Sequence, residues 1–306
     1  MPSVPSPNGG LSRFSIIDST TPKLSLADAL EVYARVGARG VGITERRLGD
    51  IADDAARVAQ SGLTVTGCFL SCTSILPPAD PPAEGPGLPE LNEPDLRVAS
   101  MTRSIRRLAP LRPTFFYAIS GPRGRFSADA ADTLVVEGLR DLADVASECG
   151  ASVALELFHT SLERWSYVST IAEGIAIIDA VDRTNVGLAA DIWHLDSSPS
   201  TLDQLRDHAG RIVSLHIDDR RDPTRSVRDR LLPGDGTADV AGILDHIDAG
   251  GFRGWYELEI LSDDGSHGLD LPDSLWKLDP LDLVSRGRDK FVAAWEARRR
   301  SPASGE

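Results

Sequence analysis

The sequence is poor in cysteine, in positive charge and in long apolar runs, and each shortage excludes something. Three cysteines, Cys68, Cys72 and Cys149, are an odd number in 306 residues. They do not form a disulfide framework and read as reduced thiols, the state expected of a cytoplasmic protein. Cys68 and Cys72 have three residues between them and no second pair follows, so they do not make a structural zinc site. Lys and Arg total 32 against 46 Asp and Glu, a net charge of −14. A nucleic-acid binder needs a basic face, because counterion release supplies most of its affinity, so nucleic acid is not an expected partner. No apolar run approaches the roughly 18 residues that would cross a bilayer. The opening MPSVPSPNGG has neither the basic nor the apolar segment of a signal peptide, so no membrane partner is expected and the expected localisation is cytoplasmic.

What the sequence does have is rhythm. Short β-branched or apolar runs alternate with helical patterns about eight times. The expected strands are RFSIIDS (13–19), VGITE (41–45), LTVTGCFLS (63–71), TFFYAISG (114–121), SVALELF (152–158), VGLAADIWHL (186–195), IVSLHIDD (212–219) and GWYELEIL (254–261). Between them lie helical stretches such as SLADALEVYARVGARG, with Ser25 as N-cap and Gly40 as stop, and DIADDAARVAQSG, ending at Gly62. The last helix is expected from Leu281 to Arg299. This alternation implies βαβ units and a parallel sheet. Eight units, with no G-x-G-x-x-G after the first strand, predict an α/β fold of the single (β/α)8 TIM barrel type rather than an open doubly wound sheet. One domain is expected over 11–300, between a disordered N-terminus (1–10) and a disordered tail (301–306). Seven prolines within 77–95 forbid regular structure there and leave a lid or mobile loop.

Barrel enzymes carry their catalytic groups at the C-terminal ends of the strands. Near that end, four consecutive expected strands hold an ionisable residue: Glu156, Asp191, His216 and Glu259, separated by 35, 25 and 43 residues. A single glutamate in ALELF, or His216 alone, would ordinarily be a satisfied structural residue. Four on adjacent strands change the reading, because a buried carboxylate is costly unless it is paired or holds a metal. Three carboxylates and an imidazole without a thiolate suit Mn²⁺, Mg²⁺ or Co²⁺ and can accept Zn²⁺. Glu257 and Glu259 are two apart and share a face. Glu259 lies nearer the strand end and is the expected ligand, with Glu257 deeper and Asp218 beside the centre as supporting residues. Phe158, Trp165, Tyr167, Trp193 and Trp276 fall at the expected barrel mouth, where they could wall a pocket.

The segments VALELF, NVGLAADIWHL, SLHIDD and LPGDGTADVAGILDHIDAGGFRGWYELEIL combine the Asp191-x-x-His194 pair, His216, a P-G-D-G turn and a closing Glu259. In these the chain resembles the xylose-isomerase-like TIM barrels of the sugar phosphate isomerase/epimerase superfamily. The resemblance runs from RFSII to the last helix and is strongest over 152–261. It implies one divalent metal ion, Mn²⁺ first and Mg²⁺, Co²⁺ or Zn²⁺ next, on Glu156, Asp191, His216 and Glu259. It implies that Glu156 and Glu259 are the proton-transfer pair and that His194 contacts a substrate hydroxyl or carbonyl. The implied activity is isomerisation or epimerisation of a sugar, keto-sugar or related polyol, by proton transfer through a metal-bound ene-diolate. The alternative is a lyase on the same barrel, dehydrating an inosose- or dehydroshikimate-type ring or cleaving an oxidised C-glycoside.

Relatives of this kind often place an arginine on the substrate from the loop after the seventh strand. Here that loop holds Arg220, Arg221, Arg225, Arg228 and Arg230, and spacing favours Arg221. Trp193 and Phe158 are the expected apolar contacts. A small carbohydrate-like substrate is the expected partner, and barrels of this group often pair as homodimers. DNA-repair endonucleases share the barrel but need a His-rich site for three zinc ions. All six histidines here lie at or after His159, so that activity is not expected.

Overall fold

Helices start in this chain where a side chain can satisfy the free amides of the first turn. In the computed structural model, which describes residues 10–78 and 91–298, Ser25 caps α1 (Leu26–Arg35) and Asp50 caps α2 (Ile51–Ser61). Helix α3 (Pro94–Leu108) begins on a proline instead, whose missing N–H is no loss there. Ser127 caps α4 (Ala128–Glu148), and Thr170 and Glu173 form a full capping box on α5 (Ile171–Val181). Ser198, Asp239 and Asp279 cap α6 (Pro199–Asp207), α7 (Val240–Ala249) and α8 (Pro280–Ala297).

The strands between them are β1 (Phe14–Ile17), β2 (Gly40–Thr44), β3 (Thr64–Ser74), β4 (Phe115–Ile119), β5 (Ser152–Glu156), β6 (Val186–Asp191), β7 (Ile212–Ile217) and β8 (Trp255–Leu258). Neighbours pair in parallel, and β1 bonds to both β2 and β8, which closes the sheet. The fold is a single (β/α)8 TIM barrel. Among the described residues, no helix is long and apolar enough to cross a membrane.

Several boundaries differ from the sequence expectation. Gly40 does not stop α1. The helix ends at Arg35, the chain turns at Gly37 with φ of 82°, and Gly40 opens β2. Gly40 is there for close approach, since a Cβ would lie 2.4 Å from Cγ2 of Thr66. Strand β6 ends at Asp191, because the amides of His194 and Leu195 both turn back to the Asp191 carbonyl. Gly10, expected in a disordered segment, is buried against Trp295 and Phe291. The expectations for residues 1–9, 79–90 and 299–306 fall outside the described residues.

Period-two alternation sends one set of side chains outward to the helices and the other into the barrel. The outward set, including Ile16, Val41, Leu155, Leu188, Leu215 and Tyr256, belongs to the main core. Inside, Phe115, Tyr117, Ala154 and Ala189 form a smaller cluster, with Phe69 packed on it. The same alternation carries Glu156, Asp191 and His216 inward at the upper ends of β5, β6 and β7, and Asp191 lies in register with His216.

Candidate metal centre

The inward ends of β5, β6 and β7 and the first residue after β8 bring Glu156, Asp191, His216 and Glu259 together. One ligand atom from each lies within 4.8 Å of the others, and all four residues are buried. Nδ1 of His216 is 3.5 Å from Glu156 Oε1, 3.5 Å from Asp191 Oδ2 and 3.3 Å from Glu259 Oε2. It is buried and makes no hydrogen bond. Ligand atoms about 2.0–2.2 Å from a common ion stand roughly 2.8–3.6 Å from one another. The three separations from Nδ1 fall in that range, and the donor set of three carboxylates and an imidazole suits a divalent metal. The opposite nitrogen, Nε2, is 2.8 Å from the Tyr117 hydroxyl.

A guanidinium borders the same oxygens. Arg230 Nη1 donates to Asp191 Oδ2 at 2.6 Å, Asp218 Oδ2 at 2.7 Å and Glu259 Oε2 at 2.9 Å. Its side chain is 3% exposed, so these are buried ion pairs. The loop places it there by strand-like alternation. Asp219–Arg220 pairs antiparallel with Arg230–Leu231, and the Arg230 amide bonds to the Leu261 carbonyl. Arg230 points to the centre, while the preceding Asp229, bridged to Ser262, points away to Arg221 and Arg225. The P-G-D-G turn closes over Asp219, whose carboxylate accepts the amides of Gly234, Gly236 and Ala238.

Of the five loop arginines, Arg230 and not Arg221, the one favoured by spacing, reaches the four residues. Arg221 is not drawn to the centre. It pairs with Asp229 at 3.3 Å and Asp273 at 2.9 Å, and its side chain is 37% exposed. Arg230 takes the inner position.

Above the four residues lies a cavity of about 310 Å³, walled by Phe69, Leu70, Phe158, Trp165 and Leu261, with Glu156, His194, Arg230 and Glu259 on its polar side. Phe158 stacks on the His194 ring at 4.6 Å. Nδ1 of His194 accepts the His159 amide at 3.1 Å, which leaves the proton of the neutral ring on Nε2, 3.6 Å from Asp191. Trp193 does not line the cavity. Its amide donates to Asp191 Oδ1 and Asp218 Oδ1, and its ring packs edge-on against His194 at 5.0 Å. Trp276 and Tyr167 are likewise turned away, bonded to the Ile260 carbonyl and to Asp132. Glu257 lies below the centre, fully buried among hydroxyl groups.

Burial and crowding divide the ionisation states. Burial pushes Glu156 up to about 8, with Glu259 and Asp191 adding to the effect and His216 and Arg230 opposing it. Burial would also raise Asp191 and Glu259, but Arg230 and His216 outweigh it and hold both low. Burial alone would lower His216, yet Glu259, Asp191 and Glu156 push it well above the ordinary range. His194 goes the other way, lowered to about 4 by burial and by Arg230 against the pull of Asp191. Asp218 is raised by burial and by Asp191. The carboxylates Asp191 and Glu259 are thus balanced by Arg230 and a protonated His216 at neutral pH, so an ion would enter in exchange for protons, and His194 beside it is a neutral donor.

Comparison with known proteins bears on this geometry. The chain is 32% identical over 130 residues to an inosose isomerase of Bacillus licheniformis, covering 41% of this chain and 45% of that one. It is 28% identical over 145 residues to an inosose dehydratase of Geobacillus thermodenitrificans, covering 42% and 47%. The matches thus span about half the length of these curated relatives. A crystal structure of the IOLI protein with a bound zinc atom superposes with a TM-score of 0.74 at 18% identity, over 94% of this chain and 99% of that one. The model of the xylose isomerase-like TIM barrel family matches residues 30–281. With most of the chain inside that match and the closed barrel built as described, the protein belongs to the xylose isomerase-like TIM barrel family.

Proposed function

We propose that the protein is a divalent-metal-dependent isomerase or epimerase of a sugar, keto-sugar or related polyol. The observation that carries this reading is the unpartnered Nδ1 of His216, aimed at three carboxylates in a buried pocket beneath a cavity. Glu156, Asp191, His216 and Glu259 would hold the ion, which we assign as Mn²⁺, with Mg²⁺, Co²⁺ and Zn²⁺ sharing the same ligand chemistry. When bound, the ion would polarise a substrate carbonyl and its neighbouring hydroxyl and so acidify the proton on the carbon between.

The chain's own groups do the rest. Glu156, ionised when it holds the ion and lining the cavity, can take a proton from carbon. Glu259, held ionised by Arg230 and His216, is the partner carboxylate from another strand. His194 offers a neutral Nε2–H to a substrate oxygen without adding a charge. Arg230 sits beside the same oxygens and can stabilise negative charge as it develops on the substrate. Phe158 and Trp165 wall the cavity and limit water around the reacting carbon. Localisation in the cytoplasm and pairing as a homodimer belong to the same proposal.

The test is turnover of a panel of keto-sugars and inososes in D₂O with the metal-loaded enzyme. Uptake of solvent deuterium with no other change of mass supports the isomerase or epimerase. Loss of water would replace it with the lyase reading, which the inosose dehydratase relative favours. Both begin by removing a proton beside a carbonyl, so the same residues serve either outcome. No reaction and no exchange with any ketone would reject both.

A further inference from the structure

We infer that Glu257 and Tyr117 are positioning residues that fix which nitrogen of His216 faces the centre. The inference rests on the metal-centre reading above. Glu257 lies on β8 in register with His216 on β7, and it is fully buried. Thr66 Oγ1 donates to its Oε1 at 2.5 Å. The hydroxyls of Tyr117 and Ser214 donate to its Oε2, each at 2.5 Å. Ser15 Oγ stands 3.0 Å from Thr66 Oγ1 and 3.4 Å from Oε1. The carboxylate therefore sits at the focus of four hydroxyl groups contributed by β1, β3, β4 and β7.

The count of protons gives this network a direction. A phenol has one proton, and Tyr117 directs it to Glu257. Its oxygen then faces His216 Nε2, 2.8 Å away, as an acceptor. Nε2 must carry a proton, so the lone pair of a neutral ring is left on Nδ1. Nδ1 is the atom that faces Glu156, Asp191 and Glu259. Were the phenol proton turned toward His216 instead, Glu257 would lose a donor and the ring would present an N–H to the centre, which no metal can use. A lone hydroxyl beside Nε2 could donate or accept, and the carboxylate at position 257 removes that choice.

Packing holds the relay still. Phe69 stacks on the Tyr117 ring at 3.9 Å, and Phe115 meets it edge-on at 5.2 Å. A metal-bound histidine commonly gives its second N–H to a carboxylate, carbonyl or water, which orients the ring and raises its basicity. Here a tyrosine stands between histidine and carboxylate.

The test is the affinity of the metal-stripped, full-length protein for Mn²⁺, measured by calorimetry for wild type, Tyr117→Phe, Glu257→Gln and the double variant. Tyr117→Phe is expected to weaken binding about 10–100-fold. Glu257→Gln should weaken binding in the wild type and change it by less than about twofold once Tyr117 is Phe, because the pair acts as a unit. A second readout needs no ion. The His216 Nε2 proton should appear in ¹⁵N-histidine spectra as a slowly exchanging signal, present in wild type and lost in Tyr117→Phe. Unchanged affinity in a folded Tyr117→Phe, or a Glu257→Gln effect that persists undiminished in the double variant, would overturn the relay. If Glu257→Gln does not fold, Tyr117→Phe and the proton signal decide. A wild type that binds no ion defeats the metal-centre reading, and the proton signal then decides the hydrogen bond by itself.

Discussion

Raising the pH should tighten metal binding steeply. Without metal, the centre holds two protons at neutral pH. One is on Glu156, whose carboxyl is pushed by burial from near 4.5 to about 8. The other is on His216, raised well above 6.5 by the carboxylates around it in spite of burial. An ion needs the ionised carboxylate and the bare Nδ1, so binding at pH 7 must release both protons. Below about pH 8, each pH unit should therefore raise affinity about a hundredfold, roughly tenfold for each proton displaced. Above about pH 8, Glu156 is already ionised and its tenfold share of the slope should be lost. Calorimetry in buffers of different ionisation enthalpy counts the protons directly. Glu156→Gln removes one of them and should leave a slope of about one decade near pH 7. Binding with no proton release and no pH dependence would refute the reasoning. The same two protons set the stability of the metal-free protein. Both groups hold their protons more tightly folded than unfolded: the Glu156 contribution is full below about pH 4.5 and is lost as pH rises through about 8, and the His216 contribution is full below about pH 6.5 and is lost at higher pH.

Other consequences follow from single contacts. Arg230→Met leaves Asp191, Asp218 and Glu259 without their shared cation and should destabilise the metal-free protein by about 3–5 kcal/mol in urea unfolding; a loss below about 1 kcal/mol would contradict the buried ion pairs. Arg221→Ala breaks half-exposed pairs and should cost less than about 1 kcal/mol, with KM unchanged within about twofold. A large rise in KM would return Arg221 to the substrate. Gly62→Ala places a side chain at φ of 73° after α2 and should cost about 1–2 kcal/mol by thermal or urea unfolding.

The barrel was legible because its signals are local. Ser25, Asp50 and Gly62 mark helix ends by their own backbone chemistry, and β-branched runs mark the strands. Glu156, Asp191, His216 and Glu259 could be grouped because strand order in a barrel follows chain order, so like positions on successive strands meet. Arg230 could not be picked from five loop arginines. Its direction is set by a two-residue ladder with Asp219–Arg220, and nothing in the sequence of the loop announces that pairing. Trp193 falls at the barrel mouth by its place at the end of the sixth expected strand. After the turn at Asp191 its ring meets the histidine edge-on and does not line the cavity. Tyr117 was invisible as a partner of His216 and Glu257, since 99 and 140 residues separate them and only barrel closure sets the distance.

The central claim is that Glu156, Asp191, His216 and Glu259 hold a divalent ion. It is tested most directly by stripping the full-length protein, reloading it with Mn²⁺, and measuring bound metal beside His216→Gln, with circular dichroism to verify the fold. The account predicts about one ion per chain in the wild type, and binding weakened by at least about a hundredfold in folded His216→Gln, because the imidazole ligand is gone. No bound ion in the wild type, or equal binding in the folded variant, would contradict it.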